Sequence, residues 1–309
     1  MAVIESLESN FFLCPHTRKP LRFMSRDELS VLNQRIERNE LYFHLGIQAQ
    51  CSVDSALITE NQTYVYPIVE GIIFLKKDVA ITAKNRTKNP FMRVPEHITE
   101  EFFNTYKVLS KEKAAEPVLK DLNSQKLDND QLLQLKSRLP KSGQCFMSVV
   151  THDVDAIHNL VFNTRFNAYV HIDFSLDRLL AIKKDVKQGT ELVLCDVACL
   201  PFEANTVNAL FSFDYINEYD KADQAAAYEE LKRVLKEDGA SVVLYDKSKR
   251  LHAQSQLKSD QLSKKALSVL APWKKKKVPT IYFHPVTVDA DENHREELMT
   301  KTSFGRQFS

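Results

Sequence analysis

Residues 191–246 read ELVLCDVACLPFEANTVNALFSFDYINEYDKADQAAAYEELKRVLKEDGASVVLYD. Three short apolar runs stand out: Glu191 to Val197, Ala209 to Ile216 and Ala240 to Asp246, with a predicted helix over 222–236 before the last. The runs are unbroken rather than alternating, as expected of strands covered by helices on both faces. The pattern extends backwards through Cys145 to Thr151, a helix over 156–166, Ala168 to Phe174 and a helix over 176–186. Residues 145–246 therefore predict an α/β fold, a Rossmann-like, doubly wound and mostly parallel sheet.

Around this centre, three zones are expected. Residues 1–83 form a small β-rich domain, 84–144 a helical connector, and 145–309 the wound domain with its tail. In the first zone, Tyr64 to Ile68 and Ile72 to Leu75 read as strands around a Glu70-Gly71 turn, and 24–41 holds a short amphipathic helix. The connector carries helices beginning near Thr99 and over 129–139, and a late strand is expected within PTIYFHPVTV.

The 309 residues are 43% hydrophobic and 27% charged, an ordinary globular balance. A net charge of +1 gives no global field toward nucleic acid or anionic membrane. The five cysteines are odd in number and irregularly spaced, which argues against a disulfide framework and for a reducing compartment. Cys145, Cys195 and Cys199 fall in apolar runs and read as buried. With no secretory leader pattern and no apolar run long enough to span a bilayer, a cytoplasmic protein is expected.

Two acids end predicted strands. Asp173 closes the second strand of the wound region, about twenty residues beyond the first strand-to-helix turn, where an acid accepts hydrogen bonds from ribose hydroxyls. Asp196 closes the third, ahead of Leu200-Pro201-Phe202. The strings VHIDFSLDRLLAIKK, CDVACLPFEANTVNALFS and EELKRVLKEDGASVVLYD resemble, in order and spacing, the second to fifth strands of class I S-adenosylmethionine-dependent methyltransferases. The resemblance implies S-adenosylmethionine as cofactor. It places Asp173 at the ribose, Asp196 at the adenine amine and Val197 beside the ring. It also turns the residues after the fourth strand toward the methyl acceptor: Asp214 as a candidate general base, with Tyr215, Asn217 and Glu218 around it.

The family's first motif is a run of glycines that lets backbone N–H groups approach the cofactor's methionine portion. Here the segment is SVVTHDVDAIHNLVF, with no glycine, and Asp153 and Asp155 stand in that place. The whole chain has only 6 glycines where roughly 20 would be average. Carboxylates there oppose the cofactor's carboxylate, although they could pair with its ammonium or sulfonium. The string THDVD also resembles the metal-binding strand end of polysaccharide-deacetylase-like hydrolases, through His152, Asp153, Asp155 and His158. A helix-capping aspartate with exposed histidines is the simpler reading.

Near the start, Cys14-Pro15-His16-Thr17 and the later YPIVEGI resemble the zinc-ribbon proteins that activate tRNA and release-factor methyltransferases. That family's further cysteines are replaced by Thr17 and Thr59, and Cys51 is out of register, so the ribbon is expected without zinc. Far downstream, Lys274, Lys275, Lys276 and Lys277 follow Trp273, a basic patch able to meet an RNA or protein acceptor. Two functions follow: a methyltransferase with an atypical first motif, or a methyltransferase-like pseudoenzyme serving as a binding or regulatory subunit. A metal-dependent hydrolase ranks behind both.

Overall fold

The computed structural model describes residues 11–83, 96–110, 127, 129–150, 153–213, 221–246 and 281–284. The early segment supplies strands β1 (Leu21–Phe23), β2 (Tyr42–Phe43), β3 (Ser55–Thr59), β4 (Val65–Val69), β5 (Ile72–Leu75) and β6 (Ile81–Thr82), with helix α1 (Arg26–Glu37). Helices α2 (Glu96–Leu109) and α3 (Asn129–Arg138) follow. Then come β7 (Ser142–Val149), α4 (Val154–Val161), β8 (Arg165–Asp173), α5 (Leu176–Ile182), β9 (Thr190–Cys195), β10 (Val207–Phe213), α6 (Lys221–Val234), β11 (Leu235–Asp246) and β12 (Ile281–His284).

Strands β9, β8, β7, β10 and β11 lie side by side in that order, all parallel, and β12 closes one edge antiparallel to β11. This is the expected wound sheet. Two helices, α4 and α5, end earlier than their periodicity predicts. α4 ends at Val161 because Phe162 turns extended and Asn163 takes a left-handed conformation (φ 59°), after which β8 starts at Arg165. α5 likewise stops at Ile182.

At the other edge, β5 pairs in parallel with β9, Ile72 opposite Leu192 and Leu75 opposite Cys195. The antiparallel strands β1, β3, β4 and β5 thus continue the same sheet instead of forming a separate one. The β4–β5 hairpin that delivers β5 turns on Glu70 (φ 51°) and Gly71 (φ 78°). Two consecutive positive φ values match the twist of a two-residue hairpin, and glycine adopts one of them without a Cβ penalty.

Side chains alternate between the two faces of this sheet. Cys145, Met147, Val149, Val170, Ile172 and Val193 pack beneath Ala227, Leu231 and Val234 of α6, together with Phe11, Phe12 and Phe202. On the opposite face, Ile58, Ile72, Phe74, Leu192 and Leu194 meet α1, α2 and α5. There too Phe146, Ala209 and Phe211 meet α3 and α4. Each face hides the full apolar run of the strands, which is why the runs carry no polar alternation.

Polar ties reinforce the junction with the early segment. The Leu13 N–H donates to the Pro201 carbonyl at 2.8 Å. Arg18 Nη1 (2.6 Å) and Arg233 Nη2 (2.9 Å) both donate to the Leu200 carbonyl, and Glu230 accepts from both guanidinium groups. Burial alone would raise the Glu230 carboxyl; Arg233 and Arg18 outweigh it and hold it below its usual range.

Glu191, at the start of β9, is 6% exposed. Burial raises its carboxyl from 4.5 to about 7. The folded chain therefore keeps a proton that the unfolded chain releases, so stability falls as pH rises from about 4.5 to about 7. Denaturation followed across that range should show the decline, and Glu191→Gln should flatten it; an unchanged slope in the variant would assign the effect elsewhere.

Candidate functional site

In open α/β sheets, ligands bind at the carboxyl ends of the strands, near the point where strand order reverses. Here that rim comprises the ends of β7, β8, β9 and β10. Asp173 ends β8, and Asp196 follows β9; since Asp173 lies opposite Leu194 in the β8–β9 register, the two acids sit on neighbouring strands of one rim.

Their environments differ. Asp196 is exposed and uses Oδ1 to accept from the Ala198 N–H at 2.9 Å, capping a short 3-10 turn over Val197–Cys199. Its position leaves it open to a ligand. Asp173 is 1% exposed and already engaged. Arg178, one turn into α5, donates through Nε to both carboxylate oxygens (3.1 and 3.0 Å) and through Nη2 to Oδ1 (2.8 Å). The Ser175 N–H adds a further bond to Oδ1 at 2.7 Å. The guanidinium also lies over the Phe174 ring, 4.2 Å from its centroid. Charge-assisted, bidentate pairs of this kind are roughly twice as strong as neutral hydrogen bonds. The acid expected at the ribose is thus held by the chain's own arginine.

At the first strand-to-helix turn, Val149 and Val150 are fully buried. Val150 has φ 43°, a left-handed conformation that a β-branched side chain adopts only under strain. The bend is made with a valine side chain in it. Asp153 caps α4: Oδ1 accepts from the Ala156 N–H (2.9 Å) and Oδ2 from the Leu127 N–H (3.3 Å). Asp155 is exposed in the first turn of α4. Val197, expected beside the adenine, is buried in the core.

The early segment crowds the rim further. The register that sets Leu75 opposite Cys195 carries Lys76 and Asp78 up beside Asp196. Lys76 is ion-paired with Glu101 of α2. Burial raises the Asp78 carboxyl, and the charges of Lys76, Glu101, Lys77 and Asp196 all act on it. Between α2 and the start of α5 a cavity of about 250 Å3 remains, lined by Glu101, Asn104, Thr105, Phe174, Ser175, Leu176 and Asp177. Small-molecule sites usually occupy about 300–1,000 Å3.

S-adenosylmethionine can be tested against this rim in two halves. For the adenosine half, two acids stand at adjacent strand ends, where the resemblance expects a ribose and an amine, and Asp173 is already paired with Arg178. Where the resemblance expects glycines for the methionine half, Asp153 is committed to capping α4, Asp155 is exposed, and Val150 just before them is buried in a left-handed conformation.

Below the rim, Ser148 Oγ and His171 Nδ1 lie 2.8 Å apart on paired positions of β7 and β8, fully out of solvent. Sequence reading missed this pair and Arg178. The pair sits inside apolar runs, and Arg178 reads as an ordinary helix-surface residue.

In the early segment, Cys14 Sγ lies 3.3 Å from the Tyr66 hydroxyl and accepts from the Thr17 N–H at 3.4 Å. Thr59 Oγ1 accepts from the Thr63 and Tyr64 N–H groups, both at 3.1 Å. Cys14 and Cys51 belong to different core clusters on opposite faces of the sheet. Cys199, expected buried in a strand, is half-buried in the 3-10 turn after β9. Among the described residues, no group of three or more His, Cys, Asp and Glu is placed to hold a metal, and no helix is long and apolar enough to cross a membrane. His152, Asp214, Tyr215, Asn217, Glu218, Trp273 and Lys274 to Lys277 lie outside the described residues.

Breaking the Asp173–Arg178 pair from one side should cost more than removing both partners, because a lone buried charge is left behind. Arg178→Met alone is expected to lose about 3–5 kcal/mol. The double variant Asp173→Leu, Arg178→Met should recover much of it. Equal losses in chemical denaturation of single and double variants would contradict a coupled pair.

Residues 155–243 match the family described as "Methyltransferase domain". The match begins past β7 and the glycine-free turn. No curated protein matches the sequence. Among solved structures, the chain is similar to the complex between the Haloferax volcanii Trm112 methyltransferase activator and a candidate methyltransferase. The match has 20% identity and TM-score 0.33, and covers 37% of this chain and 50% of that one. It is also similar to Haemonchus contortus phosphoethanolamine N-methyltransferase 2 with phosphomonomethylethanolamine and S-adenosylhomocysteine (20% identity, TM-score 0.32, covering 41% and 32%). A third similarity is to the [4+2]-cyclase SpnF (16% identity, TM-score 0.32, covering 37% and 43%). The chain thus spans half or less of the length of each of these proteins, and likeness at this level says nothing of activity. The wound domain is methyltransferase-like in fold.

Proposed function

We propose that the chain is an S-adenosylmethionine-dependent methyltransferase-like protein that recognises its cofactor through the adenosine half, with Arg178 as an internal competitor for Asp173. The observation that supports this reading is the placement of Asp173 and Asp196 at the ends of adjacent parallel strands. When bound, the cofactor supplies an electrophilic methyl group on a sulfonium. The chain's own residues then have three tasks. Asp173 accepts from the ribose hydroxyls once Arg178 lets go, and exposed Asp196 accepts from the adenine amine. Asp214, directly after β10, is the proposed acceptor-side base, with Tyr215, Asn217 and Glu218 forming the acceptor surface.

The exchange at Asp173 explains why affinity should be weak. A ribose offers neutral hydroxyls in place of a charged, bidentate guanidinium, and charge-assisted bonds are roughly twice as strong as neutral ones. A second reading, a pseudoenzyme acting as a binding or regulatory subunit, is favoured by one observation: the glycine-free turn with buried Val150 and capped Asp153.

Calorimetry with S-adenosylhomocysteine separates the two. The native chain should bind weakly and Arg178→Gln about tenfold more tightly, the gain expected when a charged competitor is replaced by a neutral donor. Asp173→Ala should abolish the heat. Absence of binding in both the native chain and Arg178→Gln, with melting showing both folded, would overturn the cofactor reading in favour of the pseudoenzyme.

A further inference from the structure

At the opposite end of the sheet from the cofactor rim, where β8 begins, lies a cavity of about 710 Å3. His158, Val161, Phe162, Asn163, Thr164, Arg165 and Lys187 line it, with no carboxylate among them. Its volume falls within the usual range for a small-molecule site, about 300–1,000 Å3. Nothing in the methyltransferase-like reading uses it.

Three properties of its wall point to one ligand chemistry. The first is positive charge in a wall that itself carries no carboxylate. Arg165 is exposed at the first position of β8, and among the described residues its side chain makes no ion pair or hydrogen bond. Lys187 has the Tyr169 ring as its neighbour, with Nζ 3.6 Å from the centroid, and hydrogen-bonds the Tyr169 side chain; among the described residues it has no ion pair with a carboxylate. His158 adds an imidazole to the same wall. The second property is a flat apolar surface: Phe162 is 64% exposed, well beyond what a large aromatic normally shows water. Lys136 lies 5.2 Å from its ring centroid and fixes one side. The left-handed Asn163 holds Phe162 and Arg165 on either side of one tight turn.

The third concerns the C-terminal end of α4, whose carbonyls would repel an anion. Two of the carbonyls at that end are already engaged. The Val161 carbonyl accepts from Thr164 Oγ1 (2.7 Å) and the Thr164 N–H (3.2 Å), and the Asn159 carbonyl accepts from Lys136 Nζ (3.0 Å). The negative pole is muffled where the cations stand.

We infer that this cavity binds a nucleotide, its base stacked on Phe162 and its phosphate held between Arg165 and Lys187. Cations tracking a phosphate beside an aromatic platform are the elements by which single-stranded nucleic acid is gripped without sequence preference. The ligand is a free nucleotide or one unit of a single strand. The site does not depend on the cofactor reading, since it lies at the other end of the strands.

The test uses the full chain with a short fluorescein-labelled oligouridylate, followed by anisotropy over a salt series, and uridine monophosphate by calorimetry. Oligouridylate should bind, and the double variant Arg165→Gln, Lys187→Gln should weaken it about tenfold or more. That variant should also reduce the slope of log affinity against log salt by about 1.4, two contacts at roughly 0.7 each for single strands. Phe162→Ala should weaken binding about fivefold or more with the salt slope unchanged, because stacking carries no counterion release. All three positions are exposed, so melting should stay at the native value. Binding of the monophosphate with the same sensitivity identifies the free nucleotide as sufficient; binding of the oligomer alone identifies the strand. Saturating S-adenosylhomocysteine should leave either affinity unchanged. Absence of binding by both probes overturns the inference. So does oligomer binding that responds only to replacement of Lys274 to Lys277 by glutamine.

Discussion

A parallel sheet cannot leave a bare edge strand in water without inviting another chain to pair with it, and in this molecule β9 would have been such an edge. The chain covers it with its own β5, whose four residues are all buried. That pairing is the constraint from which the rest of the arrangement follows. It obliges the β4–β5 hairpin to turn tightly on Glu70 and Gly71, and it runs the early antiparallel strands on as part of the main sheet. It also fixes what stands at the carboxyl rim, because a parallel partner of β9 must deliver its next residues to the same end. Lys76 and Asp78 arrive there beside Asp196, and α2 is drawn over them through Glu101 and the packing of Phe102.

The rim is therefore built from two distant parts of the sequence and is crowded as a result. A carboxylate buried as deeply as Asp173 cannot remain unpaired, and the chain supplies Arg178 from five residues away. The same pairing that makes the acid tolerable in the fold makes it costly for a ligand to claim. At the first turn, Val150 shows the opposite compromise: the bend persists and a strained side chain fills it. Between them, these residues give the rim a paired acid at the end of β8 and a buried valine at the first turn.

The parallel strands were legible because their apolar runs are long and unbroken, and the rim acids because they follow such runs directly. The Glu70-Gly71 turn was legible from its glycine. The continuation of the sheet through β5 was not, since nothing in IIFL specifies whether its open side meets water or another strand. Helix ends were read too far because α4 stops at a conformation set by Asn163, whose left-handed geometry no periodicity records. Arg178 was missed for a related reason: a basic residue one turn into a helix is ordinary, and only the bend after β8 aims it back at Asp173. The basic cavity around Phe162, Arg165 and Lys187 is likewise assembled from the end of α4, the start of β8 and the turn before β9. No local window contains all three.

The competition at Asp173 is most directly tested by a crystal structure grown in saturating S-adenosylhomocysteine. The expected result is density for the ligand with its ribose hydroxyls on the Asp173 carboxylate and the Arg178 guanidinium displaced from it. A ligand seated with Arg178 still paired to Asp173, or a rim unchanged by the ligand, would contradict the account.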